Sequence, residues 1–166
     1  THVSSAELAT CRRLTTDALS AARDLLRRAD VLVLTLGTDR CYRLPDGRLV
    51  ANCHKQPAAT FTEHAADVET LTSDLRRALD SLRALRPELQ VVWTVSPYRY
   101  AKYGLHASQL AKARLLLAVD ALCATDERSV YFPAYELLLD ELRDYRYYAR
   151  DLLHPSDTAV EFIGER

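Results

Sequence analysis

Apolar and polar positions along the chain follow two periods, and the points where one gives way to the other divide it into elements. From Ser5 to Arg28, Leu8, Cys11, Leu14, Ala18, Leu19, Ala22, Leu25 and Leu26 recur at helical spacing, with Arg and Asp on the other side. This predicts an amphipathic helix with a serine-rich cap at its start. Val31 to Leu36 is a continuous apolar run ending at Gly37-Thr38, which predicts a parallel strand buried on both faces. Loops at the C-terminal ends of such strands are where α/β proteins build sites.

Cys41 to Leu44 and Arg48 to Asn52 flank Pro45-Asp46-Gly47, a hairpin signal that carries Asn52-Cys53-His54-Lys55 to its far end. Glu63 to Arg86 shows helical periodicity stopped by Pro87, and Leu89 to Val95 reads as a second buried strand ending at Ser96-Pro97. A Leu- and Ala-rich helix is expected over Ser108 to Ala124, a third short strand at Val130 to Phe132, a helix from Tyr135 to Leu142, and a last helix after His154. Strands alternating with helices imply right-handed crossovers and a parallel sheet covered on both faces, the α/β/α class.

Composition narrows the function. A chain of 166 residues with 48% hydrophobic content suits one domain over residues 1–166. A net charge of −1, from 22 basic and 23 acidic residues, leaves no electrostatic footprint for nucleic acid. No apolar run reaches membrane-spanning length, so the expected partner is small or neutral. The four cysteines, Cys11, Cys41, Cys53 and Cys123, are scattered without C-x-x-C pairing, which predicts free thiols. No signal peptide is evident, making a reducing cytoplasm the expected location. The chain opens at Thr1 and contains no Met, so a piece of a longer protein and removal of an initiator Met before Thr both fit.

The densest chemistry is Asp151-Leu152-Leu153-His154-Pro155-Ser156. An Asp three residues ahead of a His can fold back to accept its Nδ1–H, fixing the tautomer and leaving Nε2 as a general base. The plainer reading is a surface loop in which Ser156 or Asp157 caps the last helix. Cys53-His54 could form a thiol and base pair, although neighbours in a strand point to opposite faces. His54, His64, His106 and Cys53 have no metal-ligand spacing, so neither a metal nor another cofactor is expected. Asp140, Glu141, Arg143, Asp144, Arg146 and Arg150 alternate in sign and either solvate a face or brace the His154 loop. Tyr145, Tyr147 and Tyr148 read as packing groups or a sugar-stacking surface, and Lys55 and Arg99 as solvated charge or holders of an anionic substrate group.

Thr35-Leu36-Gly37-Thr38, Asn52-Cys53-His54-Lys55, Thr94-Val95-Ser96-Pro97, Tyr131-Phe132-Pro133-Ala134-Tyr135-Glu136 and Asp140-Glu141-Leu142-Arg143-Asp144-Tyr145-Arg146, in this order and leading into Asp151-x-x-His154-Pro155-Ser156, resemble the GSCFA family. That family in turn resembles the SGNH (GDSL-like) hydrolases. The resemblance implies a flavodoxin-like three-layer fold and hydrolysis or transfer of acyl groups on a carbohydrate or similar small ester. It makes His154 the general base and Asp151 its partner, and it places Gly37 at an oxyanion site with Asn52 as the nearest amide, beside His54 and Arg99 as substrate contacts.

Departures from the pattern accompany it. Asp39 stands where a side-chain amide usually follows the glycine, Tyr100 where a His is usual, and Ser108 with Ala111 where an Asn and a Ser are usual. The Gly-Ser-Cys-Phe-Ala stretch, with its nucleophilic serine and the family's first strand, is not among these residues, and Ser4 and Ser5 read as helix caps. Two expectations follow: an ester hydrolase or acyltransferase whose serine lies upstream, or a binding module that keeps the fold without the nucleophile.

Overall fold

The computed structural model describes residues 3–50, 53 and 55–166. Three parallel strands, β1 (Val31–Leu36), β5 (Gln90–Val95) and β6 (Ser129–Tyr131), form the main sheet in the order β1-β5-β6. A small antiparallel sheet in the order β3-β2-β4 is inserted between β1 and the second helix, with β2 at Arg40–Arg43, β3 at Leu49–Val50 and β4 at Thr62–Ala65. The helices are α1 (Leu8–Leu26), α2 (Val68–Leu85), α3 (Leu105–Cys123), α4 (Ala134–Glu136) and α5 (Asp157–Gly164). The architecture is α/β, and it fits the three-layer α/β/α arrangement.

The core forms where the central strand meets α2 and α3. Leu89, Val91 and Trp93 interlock with Leu79 of α2 and with Val119 and Leu122 of α3. Each fully buried side chain of this kind contributes about 1.5–3 kcal/mol. One polar chain crosses this core. Trp93 Nε1 donates to Ser129 Oγ at 3.1 Å, Ser129 donates to Asp126 at 2.5 Å, and Arg83 of α2 grips both oxygens of Asp126 at 2.7 Å. These bonds satisfy the indole N–H where an unpaired polar group would be costly.

Several elements differ from the sequence reading. β1 is not buried on both faces: Val31 is 51% and Val33 60% exposed, while Leu32, Leu34 and Leu36 turn toward the core. Its only pairing partner among the described residues is β5, so it is an edge strand, and an apolar run alone does not distinguish an edge from a centre. Helix α1 forms, but it buries none of its residues. Its N-cap is Glu7 rather than a serine, with Ser5 Oγ accepting the Glu7 N–H. The expected helix from Glu63 starts instead at Val68, because Thr62–Ala65 pair with β2 and Asp67 accepts the Thr70 N–H at 2.8 Å to cap α2. The hairpin turn at Pro45-Asp46-Gly47 forms, with Gly47 at φ +85° where a side chain would be strained. The helix after Pro133 runs on from α4 as a π-turn over Leu137–Leu142, closed by the Arg143 N–H donating to Leu138 O at 3.1 Å.

Candidate functional site

The Asp151–His154 loop folds as the spacing predicts. Asp151 Oδ1 accepts the N–H groups of Leu153 at 2.9 Å and His154 at 3.0 Å, and His154 Nδ1 lies 2.5 Å from Asp151 Oδ2. Leu152 adopts φ +58°, the left-handed conformation that reverses the chain between them. Backbone bonds from Ala149 to His154 and from Ser156 to Tyr147 close the loop on itself. The His154 N–H, then its imidazole and then the Leu153 N–H stabilise the carboxylate, holding the Asp151 pKa down to about 2. The carboxylate is therefore ionised at neutral pH and accepts from Nδ1, which leaves Nε2 as the basic nitrogen. The His154 side chain is 61% exposed, so that nitrogen is reachable from solvent. Ser156 also caps α5 by accepting the Ala159 N–H; the cap and the acid–imidazole pair coexist.

The other half of the site is the end of β1. Gly37 O accepts from Lys112 Nζ at 2.6 Å, and a Cβ on Gly37 would come within 3.3 Å of the Tyr100 hydroxyl. Tyr100 meets Tyr98 edge to face at 4.8 Å between centroids, and Tyr98 lies 4.4 Å from the His154 ring. Two tyrosine rings in contact thus connect His154 to Gly37 across the C-terminal ends of the strands. Among the described residues, neither the Gly37 nor the Thr38 amide donates to another backbone group. Because the C=O of a peptide and the next N–H point in opposite directions, the Lys112 bond fixes where the Thr38 N–H aims.

Lys112 is 2% exposed, and burial pulls its pKa down to about 8. Asp39, at the position where the family's side-chain amide usually stands, points inward. It accepts from Arg114 at 2.6 Å and supplies the nearby negative charge that partly offsets the cost of burying Lys112. It is an anchor rather than an oxyanion donor.

A model of the GSCFA family matches residues 1–166. The chain belongs to the GSCFA family. No curated protein and no solved structure matches it significantly.

In this GSCFA chain the structure brings His154, Asp151, Gly37 and Arg99 to one side of the molecule. Arg99 is tied to the 151–154 loop by its N–H, which donates to Leu153 O at 3.1 Å, and its guanidinium stacks 3.9 Å from the Tyr148 ring centroid. Asn52 and His54 lie outside the described residues, and with them the Cys53-His54 pairing. A different thiol–imidazole contact exists in the GSCFA fold: Cys41 Sγ of β2 lies 3.1 Å from His64 Nε2 of β4, paired directly across the small sheet. Burial pushes that thiol upward, which disfavours the nucleophilic thiolate. The pair is invisible in the sequence because the periodicity predicts a helix from Glu63, across most of the strand that carries His64. Lys112 was equally hidden, since a lone Lys within a Leu- and Ala-rich helix looks like its solvated side.

Proposed function

We propose that this GSCFA domain is an SGNH-type serine acyl-ester hydrolase or O-acyltransferase acting on an acylated carbohydrate or a similar small ester. The Asp151–His154 pair carries the reading: an ionised carboxylate at 2.5 Å from Nδ1, on an imidazole side chain that is 61% exposed, is the arrangement a general base requires. A seryl hydroxyl delivered to Nε2 by a Gly-Ser-Cys-Phe-Ala segment of the full protein attacks the ester carbonyl. His154 takes the hydroxyl proton, and Asp151 stabilises the imidazolium that results. The developing oxyanion lies toward the unengaged amides of Gly37 and Thr38, where preorganised donors are worth most. His154 then returns the proton to the leaving alcohol, and water or a second alcohol releases the acyl group by the same steps in reverse.

The absence of a Ser, Thr or Cys side chain in contact with His154 among the described residues favours a second reading, a binding module without a nucleophile. Labelling the full-length protein with a fluorophosphonate separates the two. A serine adduct that disappears in His154→Ala, together with loss of ester turnover, supports the enzyme. No adduct, and ester turnover identical in His154→Ala, refutes it.

A further inference from the structure

Behind the acid–imidazole loop, between α4 with its π-turn and the 145–147 turn, lies a cavity of about 150 Å³. That volume exceeds what a single water needs and admits a short organic acid. Arg99 and Arg143 line it, and neither has a carboxylate partner among the described residues. Arg99 is held in place by its position over the Tyr148 and Tyr145 rings, so its fork is already ordered. Arg143 follows the π-turn at φ +48°, a backbone conformation that costs a non-glycine residue free energy.

Tyr148, 8% exposed, forms part of the same wall with the Arg99 guanidinium over its ring. Asp144, also on the wall, is engaged by the Arg146 N–H at 2.8 Å and guanidinium at 3.0 Å. The charged side chains of the lining therefore sum to one positive charge, which suits a monoanion better than a dianion. Leu138 and Leu139 provide the apolar part.

We infer that this cavity binds a small organic carboxylate through Arg99 and Arg143. In an ester substrate that carboxylate is the fixed anionic end whose other end reacts at His154; this last step rests on the hydrolase reading, the binding site does not. Planar guanidinium forks match the two oxygens of a carboxylate. Because Arg99 is bonded to Leu153, an occupied cavity also fixes the loop that carries His154.

The test is calorimetric titration of the full-length protein with butyrate, butyramide and butyl phosphate. Butyrate is expected to bind at least tenfold more tightly than the isosteric butyramide, and more tightly than butyl phosphate. Arg99→Gln and Arg143→Gln, each first shown by thermal melting to be folded, should each weaken butyrate about tenfold or more. Equal binding of butyrate and butyramide overturns the proposal, as does unchanged binding in the two variants, and preference for butyl phosphate overturns the choice of a carboxylate. His154→Ala separates the two readings. Butyrate binding that persists while no ester is turned over even by the wild type keeps this site and sinks the hydrolase. Ester turnover without selective butyrate binding does the opposite.

Discussion

Replacing Lys112 by Met tests whether a buried ammonium positions the end of β1. The side chain is 2% exposed, and its pKa falls from 10.5 to about 8 because burial penalises the charge, with Asp39 offsetting part of the penalty. The unfolded chain therefore binds more protons than the folded protein between about pH 8 and 10.5, and stability rises with pH across that window. Below pH 8 the whole cost is present, about 3 kcal/mol at about 1.4 kcal/mol per pKa unit; near pH 9.5 roughly 2 kcal/mol of it has been relieved. Lys112→Met removes this dependence and leaves Gly37 O without its donor, a loss of about 1–3 kcal/mol. Urea unfolding of both proteins at pH 7.0 and 9.5 should show the wild type gaining about 2 kcal/mol on the variant as pH rises, since all other titrating groups are common to both. A stability difference that does not change between the two pH values would refute the placement of the charged group. If the geometry holds, ester turnover by the variant also falls, because the Gly37–Thr38 peptide is no longer pinned.

Other outcomes follow from the same site and its frame. Asp151→Asn should lower kcat/KM on acyl esters about a hundredfold or more, by losing the tautomer and the imidazolium partner. Since the Asp151 pKa is held down from 3.8 to about 2, its support for the loop is present above pH 4 and lost only as pH falls through about 2; thermal melting should show a stability gap between wild type and variant that is constant above pH 4 and shrinks toward pH 2. Gly37→Ala should depress the melting temperature and activity by crowding the Tyr100 hydroxyl, and Tyr100→Phe in the same molecule should recover part of the loss; melting scans of the single and double variants decide. Arg83→Met should raise the pH of acid unfolding, because Arg83 is the main cause holding the Asp126 pKa near 2, and the stability it contributes disappears as pH falls through that value. Acid titration followed by far-ultraviolet circular dichroism reads the midpoint.

The parallel strands and their crossover helices were legible in the sequence because a strand of six apolar or β-branched residues and an eighteen-residue periodic helix leave strong local patterns. The Asp151–His154 contact was legible for the same reason: it closes within one turn of chain and needs no tertiary information. The segment Thr62–Ala65 was not, since Glu63 and His64 carry no strand propensity and become a strand only by pairing with Arg40–Arg43. Nor was the approach of Tyr98 and Tyr100 between His154 and Gly37, which depends on the loops after β1 and β5 converging with the loop that leads into α5. Burial of Lys112 against Gly37 O spans the distance from α3 to the tip of β1, and nothing in the residues around it signals that a charged side chain turns inward. Propensity fixes what a stretch of chain does locally; which charge is drawn into the interior is decided by the fold.

The π-turn at Leu137–Leu142 has a consequence for the spacing of the protein's parts. A residue in an ordinary helix advances the chain by about 100° of rotation, so the surplus residue accommodated in the wide turn acts as a phase shift between everything before Leu137 and everything after Arg143. Deleting a single position there would leave a perfectly acceptable helix, yet it would swing the guanidinium of Arg143 away from Arg99 and feed the closing loop in from another angle. The wide turn is thus a spacer whose length is tuned to a distant geometry, and insertions or deletions within it should be far less tolerable than substitutions.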